Sequence, residues 1–163
     1  MSKEKHKKTN ALRILDTHHI AYTIDEYEWS EERGQGVHVA DELGLDEKEV
    51  FKTLVGKGDK TGYVVFCIPV AEELDMKQAA RVSGNKSVEL IHVKDILGIT
   101  GYLRGGCSPV GMKKLFPTYF DETMQAQEAV YVSAGLRGMQ MHVNPQDLQS
   151  VVNAEFVPLT MKH

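Results

Sequence analysis

The strongest constraint on the fold of this chain is a pair of glycine-closed hairpin patterns. In the first, the β-rich segment Val50-Phe51-Lys52-Thr53-Leu54-Val55 is followed by the turn Lys57–Gly62 and the apolar segment Tyr63–Ile68. In the second, Val130–Ser133 leads through Gly135-Leu136-Arg137-Gly138 into Met139–Val143. Short apolar runs joined by a glycine turn are the signature of antiparallel pairing. They exclude an all-helical bundle, and such local turns do not fit a regular βαβ rhythm.

Ile20–Trp29, Val88–Ile91 and Thr118–Phe120 read as further strands, with Glu155–Val157 as an edge strand. Helix signals fall between them. Thr9-Asn10 caps a helix to about Thr17 that buries Ala11, Leu12 and Leu15. Val37–Leu43 is closed by Gly44, Asp75 opens a helix ended by Gly84, and Val93–Leu97 is a short helix. Asn144-Pro145 starts the last helix with cap and N1 proline in the preferred order. Asp46 and Glu49 have capping-box spacing. His18-His19 sit at a helix end, where they complement the dipole. Glu31–Gly36 is a polar loop, and Gly101–Lys114 is too glycine-broken for regular structure. The expected fold is α+β with a mixed, largely antiparallel sheet and short helices. With 163 residues, one domain over 9–163 behind a flexible basic tail of residues 1–8 accounts for the whole chain.

The net charge is −4, from 19 basic and 23 acidic residues. A duplex-DNA binder would be basic, so DNA is not an expected partner. RNA stays open, because Lys3, Lys5, Lys7 and Lys8 cluster at the start while acids gather at Asp25, Glu26, Glu28, Glu31 and Glu32. The longest apolar stretch, Tyr63–Val70, is interrupted by Pro69 and is far short of the ~20 residues a membrane span requires. Met1–Lys8 is polar, with no apolar region behind it, so a cytoplasmic protein with reduced Cys67 and Cys107 is expected. No CxxC or HExxH occurs, and the seven histidines lack ligand spacing. Neither a metal nor a cofactor is expected.

Three segments carry chemistry. In Thr100–Lys114, the run Gly105-Gly106-Cys107-Ser108-Pro109 pairs two glycines with a stiffening proline. Such backbone approaches ligands closely, and its N–H groups can form a nest for a phosphate or a developing oxyanion. It reads equally as a plain irregular loop, and it is no P-loop. Lys52, with Leu54 on its strand face and Phe51, Thr53 and Val55 on the other, is either a solvated edge charge or a cation facing a cleft. The second hairpin is a structural turn first; it also offers Arg137 and Gln140 as polar groups near the same cleft.

Together, Val50–Val55, Leu74–Gly84, Thr100–Lys114 and Tyr131–Met141 resemble, in that order, the YbaK/EbsC family. That family shares its fold with the editing domain inserted in some bacterial prolyl-tRNA synthetases. The likeness runs from about Thr9 to Val157. It implies a barrel-like curved sheet ringed by helices, and a trans-editing aminoacyl-tRNA deacylase. The implied substrate is tRNA(Pro) mischarged with cysteine, with Cys-tRNA(Cys) second and prolyl-tRNA synthetase as a prospective partner. The resemblance puts Lys52 in the substrate pocket and gives Gly105, Gly106, Cys107, Ser108 and Pro109 backbone contacts to the ester. It assigns Tyr27 to the early strand's tyrosine, and places Thr53, Gly135, Arg137 and Gln140 around the substrate. Gln140 departs from relatives that carry an acid there.

No Ser/His/Asp order or Cys/His pair is visible. Cysteine as substrate brings its own thiol, already close to its ester carbonyl, and such proximity can supply ~7–11 kcal/mol. The resemblance implies the same substrate-assisted route. The loop's N–H groups could instead lower the pKa of Cys107 and make it a nucleophile, but no histidine base lies near it in sequence, and a small apolar liner is the favoured reading. A Cys107-dependent ester or thioester hydrolase and a non-catalytic binding module are the competing functions.

Overall fold

The computed structural model describes residues 8–30 and 37–161. The expected tail over 1–7, with Lys3, Lys5 and Lys7, and the expected loop over 31–36 lie outside the described residues. Lys8 is tied down, its ammonium 2.8 Å from both Asp16 and the Tyr22 hydroxyl.

Among the described residues five α-helices and eight strands follow in order: α1 (Asn10–Thr17), β1 (Tyr22–Glu26), α2 (Val37–Leu43), β2 (Phe51–Gly58), β3 (Gly62–Pro69), α3 (Met76–Ser83), β4 (Val88–Leu90), α4 (Ile96–Thr100), β5 (Thr118–Asp121), β6 (Val130–Leu136), β7 (Met139–Val143), α5 (Pro145–Val152) and β8 (Glu155–Val157). The caps are those the sequence offers. The Thr9 hydroxyl accepts the Leu12 N–H, Asp75 accepts from Lys77 and Gln78, and Asn144 accepts from Gln146 and Asp147. Gly84 ends α3 in the left-handed conformation. His18 Nδ1 lies 2.9 Å from the Ile14 carbonyl at the end of α1.

The expected α+β fold with mixed, largely antiparallel strands and short helices is present, its strands divided between two sheets. One has the order β1-β7-β6 and the other β4-β2-β3-β5-β8. Four pairings are antiparallel, while β5 runs parallel to both β3 and β8. The sheets meet through one isolated bridge, Val50 to Tyr131, so the curved surface does not close.

Alternation along the larger sheet separates two cores. The row Thr53, Cys67, Phe120 faces the small sheet, α1 and α5, where Leu12, Leu15, Val132, Met141 and Leu148 are buried. The neighbouring row Leu54, Phe66, Tyr119 faces α3, with Ala79 and Ala80 against Val64 and Ile68. The outer face of the small sheet carries polar residues. Ser133 pairs with Gln140, and Asp25 lies on the far side of Gln140. Val50, Val70 and Ala40 of α2 gather against Tyr131 on that face. The start of β2 therefore runs through the gap between the sheets, which puts Lys52 there.

Phe120→Ala should be among the most damaging core substitutions. The ring is fully buried between the sheets and packs on Phe156 at 5.9 Å. A loss of about 3–5 kcal/mol is expected, read as a lower urea midpoint at unchanged slope.

Candidate active site

Where the start of β2 meets the outer face of the small sheet there is a partly open cleft of about 100 Å³. Its walls come from Val50 and Phe51, Lys52 and Thr53 of β2, Val39 of α2, Val70 after β3, Gly105 and Cys107 of the glycine loop, Tyr27, and Ser133 with Gln140 of the small sheet. Of the residues expected at a site, Tyr27, Lys52, Thr53, Gly105, Cys107 and Gln140 are brought together here.

The others are placed elsewhere. Gly106 turns its back on the cleft, and its N–H donates to the Leu103 carbonyl at 2.9 Å. A Cβ on Gly106 would stand 2.9 Å from the Arg137 backbone nitrogen and 3.0 Å from the Leu136 carbonyl carbon. Ser108 is fully buried, and its hydroxyl accepts the Val110 N–H. Pro109 lines a separate groove beside Ile14 and Val151. Gly135, at φ +102°, forms the bulge of β6 and abuts Tyr102 and Thr9. Arg137 sits outside the cleft, 4.0 Å from the centre of the Trp29 ring.

Trp29, Ser133 and the valines of the wall carry no local sequence signal of a site role. Ser133 was within reach, because the hairpin register sets it directly opposite Gln140. Trp29 reaches the site because the chain after β1 continues along the second hairpin. The Tyr27 N–H donates to the Gly138 carbonyl at 2.9 Å, and the Trp29 indole lies where a Gly105 side chain would be.

Lys52 is half-buried, and among the described residues no hydrogen bond or ion pair reaches its ammonium. Burial lowers its pKa, opposed by the charges of Glu73 and Glu72. The Gly105 and Cys107 N–H groups make no hydrogen bond among the described residues, unlike that of Gly106. Gln140 is 6% exposed, and its Oε1 has no partner. Its side chain bonds the Tyr27 hydroxyl, whose pKa is raised by burial despite that contact. An unmet buried acceptor costs roughly 1–3 kcal/mol. The cleft wall thus carries one cation and one acceptor that have no partner among the described residues.

Burial pushes the Cys107 thiol up to about 11 and Cys67 up to about 12. Neither is a thiolate at neutral pH, and the loop does not activate Cys107 as a nucleophile. No cluster of metal-ligating side chains occurs among the described residues, and no helix there is long and apolar enough to cross a membrane.

Residues 36–151 match the model of the aminoacyl-tRNA editing domain. The chain belongs to this family. It is 48% identical, over 99% of both chains, to an Enterococcus faecalis protein named as a candidate Cys-tRNA(Pro)/Cys-tRNA(Cys) deacylase, EbsC. The YbaK/EbsC resemblance read from the motifs is thereby shown. Two solved structures share the fold. One, described as a candidate trans-editing enzyme for prolyl-tRNA synthetase, superposes with a TM-score of 0.79 at 23% identity, covering 96% of this chain and 100% of the other. A hypothetical protein gives 0.82 at 19% identity, over 94% and 100%.

Two measurements check this geometry. Gly105→Ala and Gly106→Ala should both lower Tm, the first because φ is +86° and its Cβ would displace the Trp29 indole, the second because its Cβ would press on the backbone of Leu136 and Arg137. Alkylation of Cys107 should be slow at pH 7 and accelerate as pH climbs towards about 11, with Cys67 reacting later still.

Proposed function

We propose that this chain is a trans-editing deacylase that releases cysteine from mischarged tRNA(Pro) and also from Cys-tRNA(Cys). The observation that carries the reading is the cleft's set of unpartnered groups around Lys52, with no activated nucleophile beside them. The whole-length likeness to a protein named for that activity supports it.

Each group has a use in that reaction. The Gly105 and Cys107 N–H groups suit an ester carbonyl acquiring negative charge. Lys52 adds a poorly solvated positive charge near the terminal ribose. Gln140 Oε1 suits a donor of the substrate, its α-ammonium group. Tyr27 and Ser133 shape the wall between them.

The reactive sulfur belongs to the substrate. Its thiolate forms a C–S bond to its own ester carbonyl carbon. The bond from that carbon to the ribose oxygen breaks, the oxygen takes up a proton, and the thiol proton goes to solvent. A thiolactone leaves, which water opens to free cysteine. On this route the first step is a cyclisation, not a hydrolysis, and mass analysis of the first product separates the two. Serine in the same place lacks a thiolate, so selectivity is chemical. The site of action is the cytoplasm, where tRNA is charged. Prolyl-tRNA synthetase, the source of the mischarged substrate, is the prospective partner.

Lys52→Met should reduce deacylation of Cys-tRNA(Pro) by roughly 10–100-fold, from loss of a charge-assisted contact worth ~1.5–3 kcal/mol. It should not destabilise the fold. A lysine with a lowered folded-state pKa is penalised while charged and relieved as pH rises. Wild-type Tm should therefore gain on Lys52→Met as pH rises from 7 towards 10. Near-wild-type turnover in the variant would remove Lys52 from the reaction. Cys107→Ala should keep substantial activity, and Ser-tRNA should react far more slowly than Cys-tRNA. A folded but inactive Cys107→Ala protein would overturn the substrate-assisted route.

A further inference from the structure

The mouth of the cleft carries two arginines that no carboxylate neutralises among the described residues. Arg137 is held from two directions. Its guanidinium stands 4.0 Å from the centre of the Trp29 ring, and its Nε donates to the Arg104 carbonyl at 2.7 Å. Arg104 itself is exposed. The next residue, Gly105, lines the cleft, and Trp29 lies against it. No other hydrogen bond or ion pair engages Arg137 among the described residues, so its Nη donors are unspent.

A long flexible side chain fixed in this way has already lost much of the freedom that binding would cost. The guanidinium fork matches the paired oxygens of a phosphate. Position supplies the rest. An amino acid in the cleft with its ester at Gly105 would direct the ribose, and then the phosphate on its 5′ carbon, outward past Gly105 towards Trp29 and Arg137. Arg104 and Arg137 bring two positive charges to this edge although the chain as a whole carries −4.

We propose that Arg137, positioned by Trp29 and the Arg104 carbonyl, seats a phosphate of the 3′-terminal nucleotides of the tRNA, with Arg104 beside it. This rests on the deacylase reading. It also links the two ends of the substrate, because the carbonyl that holds Arg137 belongs to the peptide unit whose N–H is that of Gly105.

The alternative is that Arg137 only staples the second hairpin to the glycine loop. Arg137→Gln separates the two, since glutamine keeps a donor for the Arg104 carbonyl and drops the charge. Steady-state deacylation of Cys-tRNA(Pro) and filter binding of uncharged tRNA(Pro) are measured over a series of KCl concentrations. A phosphate seat predicts about a ten-fold rise in KM, a smaller change in kcat, and a log–log salt slope shallower by about 0.7, the value for one single-strand phosphate. Arg137→Lys should return the slope to the wild-type value while KM recovers only in part. A folded Arg137→Gln with unchanged KM and slope overturns the proposal. So does a loss confined to kcat or Tm, which is the signature of a staple. If Arg137→Gln does not fold, a folded Arg137→Lys with wild-type KM overturns it instead. A wild-type protein inert on Cys-tRNA(Pro) would sink the deacylase reading alone, because the slope for uncharged tRNA still tests Arg137.

Discussion

The architecture of the site depends on one close approach between two backbones. Gly106 lies so near the turn of the second hairpin that a methyl group would stand 2.9 Å from the Arg137 nitrogen. That contact clamps the glycine loop to the small sheet, and Gly106 spends its own N–H on Leu103 to hold the loop's shape. Its neighbours on either side, Gly105 and Cys107, line the cleft, and their N–H groups make no hydrogen bond among the described residues. The loop is anchored through its middle residue so that its flanks can work.

Around this anchor the polar groups of the cleft are left unsatisfied at a cost to the fold. Lys52 is half-buried without a counter-ion in contact, and Gln140 keeps a buried oxygen without a donor. Stability alone would favour apolar residues at both positions. Elsewhere, buried polar groups such as Asp121 are met, with Oδ1 taking the Leu159 N–H and Oδ2 bonding Thr123. Of the two buried side-chain atoms without a partner among the described residues, Gln140 Oε1 lies at the cleft and His142 Nε2 lies outside its lining.

Local signals were legible and long-range ones were not. Thr9, Asp75 and Asn144 each cap a helix because capping is a contact between residues two or three apart in sequence. Both hairpins are where glycine turns put them, although the Gly135 bulge carries β6 on to Leu136. The division into two sheets follows from pairing β1 with β7 and β3 with β5, partners far apart in the chain whose register no local pattern encodes. The same limit applies to the site. The glycine run pointed to a nest, but the Gly106 N–H is spent on the Leu103 carbonyl three residues back, and Gly106 packs against the backbone of Arg137, far away in sequence. Ser108 and Pro109 looked functional by adjacency, and the backbone turns them into the interior and the opposite groove.

The packing of Trp29 has a spectroscopic consequence. It is the sole tryptophan of the chain, and it sits at the cleft mouth between Gly105 and the Arg137 guanidinium. Indole emission from this protein therefore originates at one point, beside the entrance rather than in either core. A nucleotide that stacks on the ring or draws Arg137 away from it changes the local field and solvent access of the fluorophore. The unlabelled protein carries its own optical probe of occupancy.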